Sequence, residues 1–171
     1  MPSAVALVRC EDYDVERVHD AVGEGLALLG GVEQLVKIGE KTLLKPNLLS
    51  GKPPEKAVTT HPSVFGAVAR YWLDAGASLT YGDSPGFGKP ESVARKAGLA
   101  DVAEKLGIPC ADFVNGRQIS YAEGKLIKQF TLAEGVLEAD AVVSLPKLKT
   151  HALTRLTGAV KNQFGCIPGL L

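Results

Sequence analysis

Two lysines and a histidine stand together at Lys147-Leu-Lys149-Thr-His151, directly after the apolar run Ala141–Leu145 and with no carboxylate nearby. Ammonium groups in that setting can hold a carboxylate or a phosphate. An imidazole titrates near neutrality, so His151 is a candidate for proton transfer. Lys161 and Asn162 follow on the next predicted helix and could fold back onto the same site. The plainer alternative is a solvated basic loop.

Two further segments share this layout, an apolar strand running straight into a polar loop marked by glycine or proline. They are Leu43-Leu-Lys45-Pro-Asn47 and Leu79-Thr-Tyr-Gly-Asp83-Ser84-Pro-Gly86. Open α/β sheets bind ligands outside the carboxyl ends of their strands. If the three strands are parallel neighbours, Lys45, Asn47, Asp83, Ser84, Lys147, Lys149 and His151 line one crevice. In that crevice the lysines would hold an anion, Asn47 and Asn162 would orient it, and Asp83 or His151 would handle protons. Asp83 could equally bind a metal or a ribose hydroxyl, or close an Asx turn on its own backbone. Gly82, Gly86 and Gly88 imitate a phosphate loop, but neither the dinucleotide GxGxxG nor the P-loop spacing is present.

His61 precedes Pro62, a residue suited to the first position of a helix. The histidine would then occupy the cap, where Ser, Thr, Asn or Asp is commoner. That makes His61 a third candidate for proton chemistry; alternatively Thr59 or Thr60 caps the helix and His61 is simply exposed. The free N–H groups of that helix start would add positive potential.

The three cysteines, Cys10, Cys110 and Cys166, are widely spaced and form no CxxC, so they are neither a disulfide framework nor a zinc or cluster motif. Cys166 lies beside the basic segment, where cations would lower its thiol pKa. It is a candidate ligand or nucleophile, set against the plainer role of a small core residue. No histidine spacing such as HExxH occurs, so a metal here would have to be assembled across loops.

The elements that must position these groups are legible from periodicity. Ala4–Val8 alternates as a first strand. Asp14 caps a helix from Val15 whose inner face is Val15, Val18, Val22, Leu26 and Leu29, stopped by Gly30-Gly31. Thr42–Leu44 and Leu79–Tyr81 are short strands. Pro62 to Leu73 is a helix ended by Gly76, and Glu91–Ala97 and Leu99–Leu106 are two short ones. Ile108–Phe113 is a strand. Ile119–Tyr121 and Leu126–Leu132 form a hairpin, Glu134–Leu137 a helical turn, Ala141–Leu145 a central parallel strand and Thr154–Phe164 a helix. Strands alternating with helices give an α/β layered fold with a mostly parallel or mixed central sheet flanked by helices.

Charge and composition exclude other classes. Of 171 residues, 46% are hydrophobic and 22% charged, with 19 basic and 19 acidic side chains, as in an ordinary globular chain and not a uniformly basic nucleic-acid binder. No apolar run approaches the roughly 20 residues of a membrane span. The neutrality is uneven: from Ala141 onward there are four basic residues and no acidic one, which makes a local positive source. The expected organisation is a single α/β domain over residues 1–171, the N-terminal part of a longer chain, in a reducing cytoplasm.

Leu44-Lys-Pro-Asn47, Thr59-Thr-His-Pro62, Gly82-Asp-Ser-Pro-Gly86, Pro146-Lys-Leu-Lys-Thr-His151 and Gly158-Ala-Val-Lys-Asn-Gln-Phe-Gly165 together resemble a broad prokaryotic domain-of-unknown-function family. The resemblance spans nearly the whole chain in order. It implies association with ferredoxin-type iron–sulfur modules, carried in cis or met in trans, and so a 4Fe-4S cluster. The cysteine motif for such a cluster is absent from this chain. Two functions are open on this reading. One is a redox-pathway enzyme domain binding a small carboxylate or phosphate. The other is a non-catalytic scaffold that docks an acidic ferredoxin-type partner through its basic end.

Overall fold

A computed structural model describes residues 4–169. Its centre is strand β1 (Lys41–Pro46), flanked in parallel by β2 (Ser78–Tyr81) and β5 (Ala141–Leu145) in the order β2-β1-β5. After Lys41 every residue of β1 is buried, as expected of a strand covered on both faces. The two faces divide by the period of two. Leu44 joins Leu79, Tyr81, Leu145, Phe65 and Trp72 in the main core, while Leu43 packs with Phe113 and Ala133 on the other side.

The main face is covered by α2 (Pro62–Asp74), whose buried residues include Phe65, Ala67, Val68, Ala69 and Trp72. Helix α1 (Val15–Leu28) starts at Asp14, whose side chain accepts from Arg17 N, and it lies on α2 through a His19–Tyr71 ring stack at 4.5 Å. Gly30 and Gly31, both at positive φ, end that approach. Helices α3 (Pro90–Lys96) and α4 (Leu99–Lys105) follow β2. Gly66 of α2 faces Val102 of α4, and a Cβ there would lie 3.1 Å from the valine methyl, so the missing side chain sets their spacing.

The second face carries a hairpin, β3 (Gly116–Ser120) with β4 (Gln129–Ala133), and the turn α5 (Glu134–Leu137). After β5 comes a short antiparallel pair, β6 (Lys149–His151) with β7 (Arg155–Thr157), then α6 (Ala159–Asn162) and a 3-10 turn over Gln163–Cys166.

The α/β layered reading holds, with three local corrections. Ala4–Val8 pairs with no strand among the described residues; Val5 and Leu7 are 88% and 94% exposed, so alternation without a partner strand makes no ladder. Ile108–Phe113 contributes a single bridge, Cys110 to Tyr81, because Pro109 lacks a donor. Thr154–Phe164 is not one helix. Its first residues pair with Lys149–His151, and only Ala159–Asn162 turns helical. Strand β5 is parallel as expected, but it sits at the edge of the described sheet.

Candidate functional site

Strand β1 alternates its side chains across the sheet, and Lys45 therefore points away from the main core into the second face. It is fully buried. A buried ammonium needs a partner, and Asp83, 3% exposed in the loop after β2, supplies it: Nζ lies 2.5 Å from Oδ1. The other carboxylate oxygen accepts from Leu48 N at 2.7 Å. One aspartate thus ties the loops after two parallel strands together. Burial pushes its pKa up to about 6, a rise that the charge of Lys45 only partly offsets.

Asn162 closes the arrangement from α6. Its Nδ2 donates to Lys45 O at 3.2 Å and to Ser144 Oγ at 3.1 Å, joining α6 to β1 and β5. Its Oδ1 is buried without a partner. Gly165 then lies against the ion pair. A Cβ there would stand 2.9 Å from Lys45 Nζ and nearer still to Asp83 Oδ1. Gly165 O also accepts from Ser84 N at 3.1 Å. The expected crevice is therefore filled at its Lys45 end, and that ammonium is engaged by Asp83 instead of standing free for an anion.

Around this centre the other lysines stay without a carboxylate. Lys149 is half-buried, with its ammonium donating to Val58 O. Burial holds its pKa below the usual lysine value; the charges of Lys161 and Lys147 push the same way, and Asp83 opposes them. Lys147 Nζ donates to Tyr13 Oη at 2.7 Å and lies 5.1 Å from the Tyr13 ring centre. Tyr13 stacks on His61 at 3.9 Å. Among the described residues, Lys147, Lys149 and Lys161 form no ion pair.

His61 does cap α2. Its Nδ1 accepts from Ser63 N at 3.2 Å and lies 2.7 Å from Ser63 Oγ. Burial, and then Lys147, lower its pKa, with Glu55 opposing. The neutral ring with a free Nδ1 lone pair is the form that can cap. His151 has a different occupation: its Nδ1 accepts from Leu153 N and Thr154 N at 3.2 and 3.1 Å, organising the β6–β7 turn. Asn47 donates its backbone N–H to Thr60 Oγ1 at 2.9 Å, and its own Oδ1 is buried without a partner.

Thr60 was not among the expected residues. Its hydroxyl accepts from Asn47 and donates to Leu145 O at 2.5 Å, joining the ends of β1 and β5. Tyr13, Ser144 and Gly165 were also missed. Thr60 and Gly165 do lie inside the segments Thr59–Pro62 and Gly158–Gly165 that carry the family resemblance, which was the available signal.

Cys166 corrects an expectation. Burial raises its thiol pKa, against a smaller opposing effect of Lys45, and its Sγ donates to Gln163 Oε1 at 3.4 Å. It is a buried core thiol. Among the described residues, no group of three or more His, Cys, Asp or Glu side chains could hold a metal ion. The described residues therefore do not fit an iron–sulfur cluster.

A parallel sheet whose strand ends enclose a buried lysine–aspartate pair defines an α/β domain with a polar centre at its strand ends. The chain belongs to the family described as Domain of unknown function (DUF362), whose model matches residues 42–170. It is 38% identical over 169 residues to the thylakoid-associated protein sll1697 of Synechocystis sp. (strain ATCC 27184 / PCC 6803 / Kazusa). That match covers 99% of this chain and 52% of the relative, so the chain spans about half the relative's length. No solved structure matches it. Among the described residues, no helix is long and apolar enough to cross a membrane.

Proposed function

We propose that the strand-end region binds a small anion, a carboxylate or a phosphate, through Lys149 and Lys161 with Lys147 at its margin. The observation that carries this reading is the half-buried Lys149. Its ammonium donates to Val58 O and forms no ion pair among the described residues, and the charges of Lys161 and Lys147 bear on it against that of Asp83. Such a cluster is self-repelling, and an anion relieves it. Lys45 is not a contact in this reading. With Asp83 and Asn162 it forms the rigid floor, and Asp83, whose pKa of about 6 lies close to neutral, is the group placed to hold a proton there. This reading extends to a role in a redox pathway beside a ferredoxin-type module, supplied in cis or in trans, for which the motif resemblance is the support.

Thermal melting with inorganic phosphate and with citrate tests the site. A ligand at about 100 times its Kd stabilises by about 2.7 kcal/mol, which for this chain length is a rise of roughly 5–10 °C. The shift should vanish in Lys149→Ala and persist in Lys52→Ala, a lysine in the exposed loop before α2. No shift with either anion, or equal shifts in both variants, removes the reading.

A further inference from the structure

Strand β5 is at odds with its position. Ala141-Val-Val-Ser-Leu145 has the character of a strand flanked on both sides, yet it pairs with β1 alone among the described residues. Natural sheet edges are blunted by charges, prolines or bulges, because an open edge recruits another strand. The span of β5 holds no charge and no proline, and its Val142 is 39% exposed.

The chain that follows is more exposed still. Leu148, Leu153, Leu156, Val160 and Phe164 are 73%, 86%, 56%, 90% and 68% exposed. All five belong to one short segment, from the residue before β6 to the turn after α6. Scattered surface leucines need no explanation, but a run of large apolar side chains held by an ordered hairpin and turn marks an interaction surface. The same segment carries Lys149, Arg155 and Lys161 and no acidic residue. The segment is therefore both apolar and basic, and it suits an apolar partner that carries acidic side chains.

We propose that β5 and the Leu148–Phe164 segment are the docking surface for the part of a full-length family member that lies outside the matched region. The argument for that occupant is length. The relative carries nearly as much chain again beyond its match to these residues, enough for a second layer that adds a strand to β5 and covers the apolar side chains. This inference does not rest on the anion reading, which concerns the lysine heads and not the apolar face.

The test joins this chain to the unmatched part of sll1697, in the order that relative has it, and compares the joined protein with the 171-residue chain. Amide exchange at Val142, Val143 and Leu148–Phe164 should slow at least tenfold on joining. Leu153→Asp and Val160→Asp should leave the melting temperature of the 171-residue chain within about 2 °C, as exposed substitutions do. In the joined protein each should lower it by about 5 °C or more, because a charge would be forced into a covered apolar contact. Unchanged exchange on joining, or equal effects of the substitutions in both proteins, overturns the proposal. So does concentration-dependent dimerisation of the 171-residue chain that Leu153→Asp abolishes, since the occupant would then be a second copy. Phosphate-induced melting shifts are read separately and do not enter this outcome.

Discussion

Gly165→Ala adds one methyl group at the tightest point of the site. Gly165 does not use positive φ, so alanine meets no backbone penalty there. The whole effect is steric and polar. The new Cβ would lie 2.9 Å from Lys45 Nζ and 3.0 Å from Asp83 Cγ, and closer than either to Asp83 Oδ1. Neither partner can retreat easily: Lys45 is fully buried, and Asp83 is also held by Leu48 N. Overpacking a dense interior costs about 1–3 kcal/mol, and parting a buried ion pair costs about 3–5 kcal/mol. A loss of about 3 kcal/mol is expected, a fall in melting temperature of roughly 6–12 °C for a chain of this length. Gly158→Ala is the control. It opens the same segment, its backbone is extended, and its Cβ would meet nothing within 4 Å. Urea unfolding followed by tryptophan fluorescence reports both variants through the buried Trp72. If Gly165→Ala and Gly158→Ala unfold at the same midpoint, the packed Lys45–Asp83–Gly165 centre does not exist as described.

Two other outcomes follow from the same centre. Asp83 has a folded pKa of about 6 against an ordinary value of 3.8, so the folded state binds its proton more tightly than the unfolded state does. Its contribution is fully present below pH 3.8 and is lost as pH rises through 6, a change of about 3 kcal/mol in all. Stability of the parent measured relative to Asp83→Asn should therefore decline from pH 4 to pH 7, and a flat or rising difference contradicts the burial of that carboxyl. Thr60→Val keeps the side-chain shape but removes the hydroxyl between Asn47 N and Leu145 O. Two backbone groups are left unpaired, and a loss of about 1–3 kcal/mol is expected by urea unfolding; a neutral result would show that water replaces the hydroxyl.

The elements were legible where a local signal sufficed. Asp14 and Pro62 set helix starts, Gly30 and Gly31 a stop, and the short apolar runs gave all three parallel strands. The failures share a physical cause, since each depended on a partner that periodicity cannot reveal. Ala4–Val8 alternates like a strand and has none to pair with. Thr154–Phe164 has apolar residues at helical spacing, but Arg155 takes positive φ and Leu156 pairs with Thr150. Leu156, Val160 and Phe164, spaced four apart along that stretch, are all exposed.

The site divides along the same line. Strand-end placement of Lys45, Asp83 and Lys149 follows from the sequence, because a strand running into a polar loop delivers its last side chain to the sheet edge. Which charge meets which does not follow, because it depends on register. Lys45 lies opposite Ser144 in β5, and this puts both on the face that Asn162 covers. One residue of slip would send Lys45 into the Leu44 core. The internal pair is thus a consequence of the register and also a constraint on it. A charge at that depth is tolerated only where Asp83 can reach it, so alternative pairings of β1 carry the cost of an unpaired buried ammonium. On this argument Lys45 and Asp83 specify the arrangement of the strands, and the half-buried Lys149 and Lys161 beyond them take no part in fixing it.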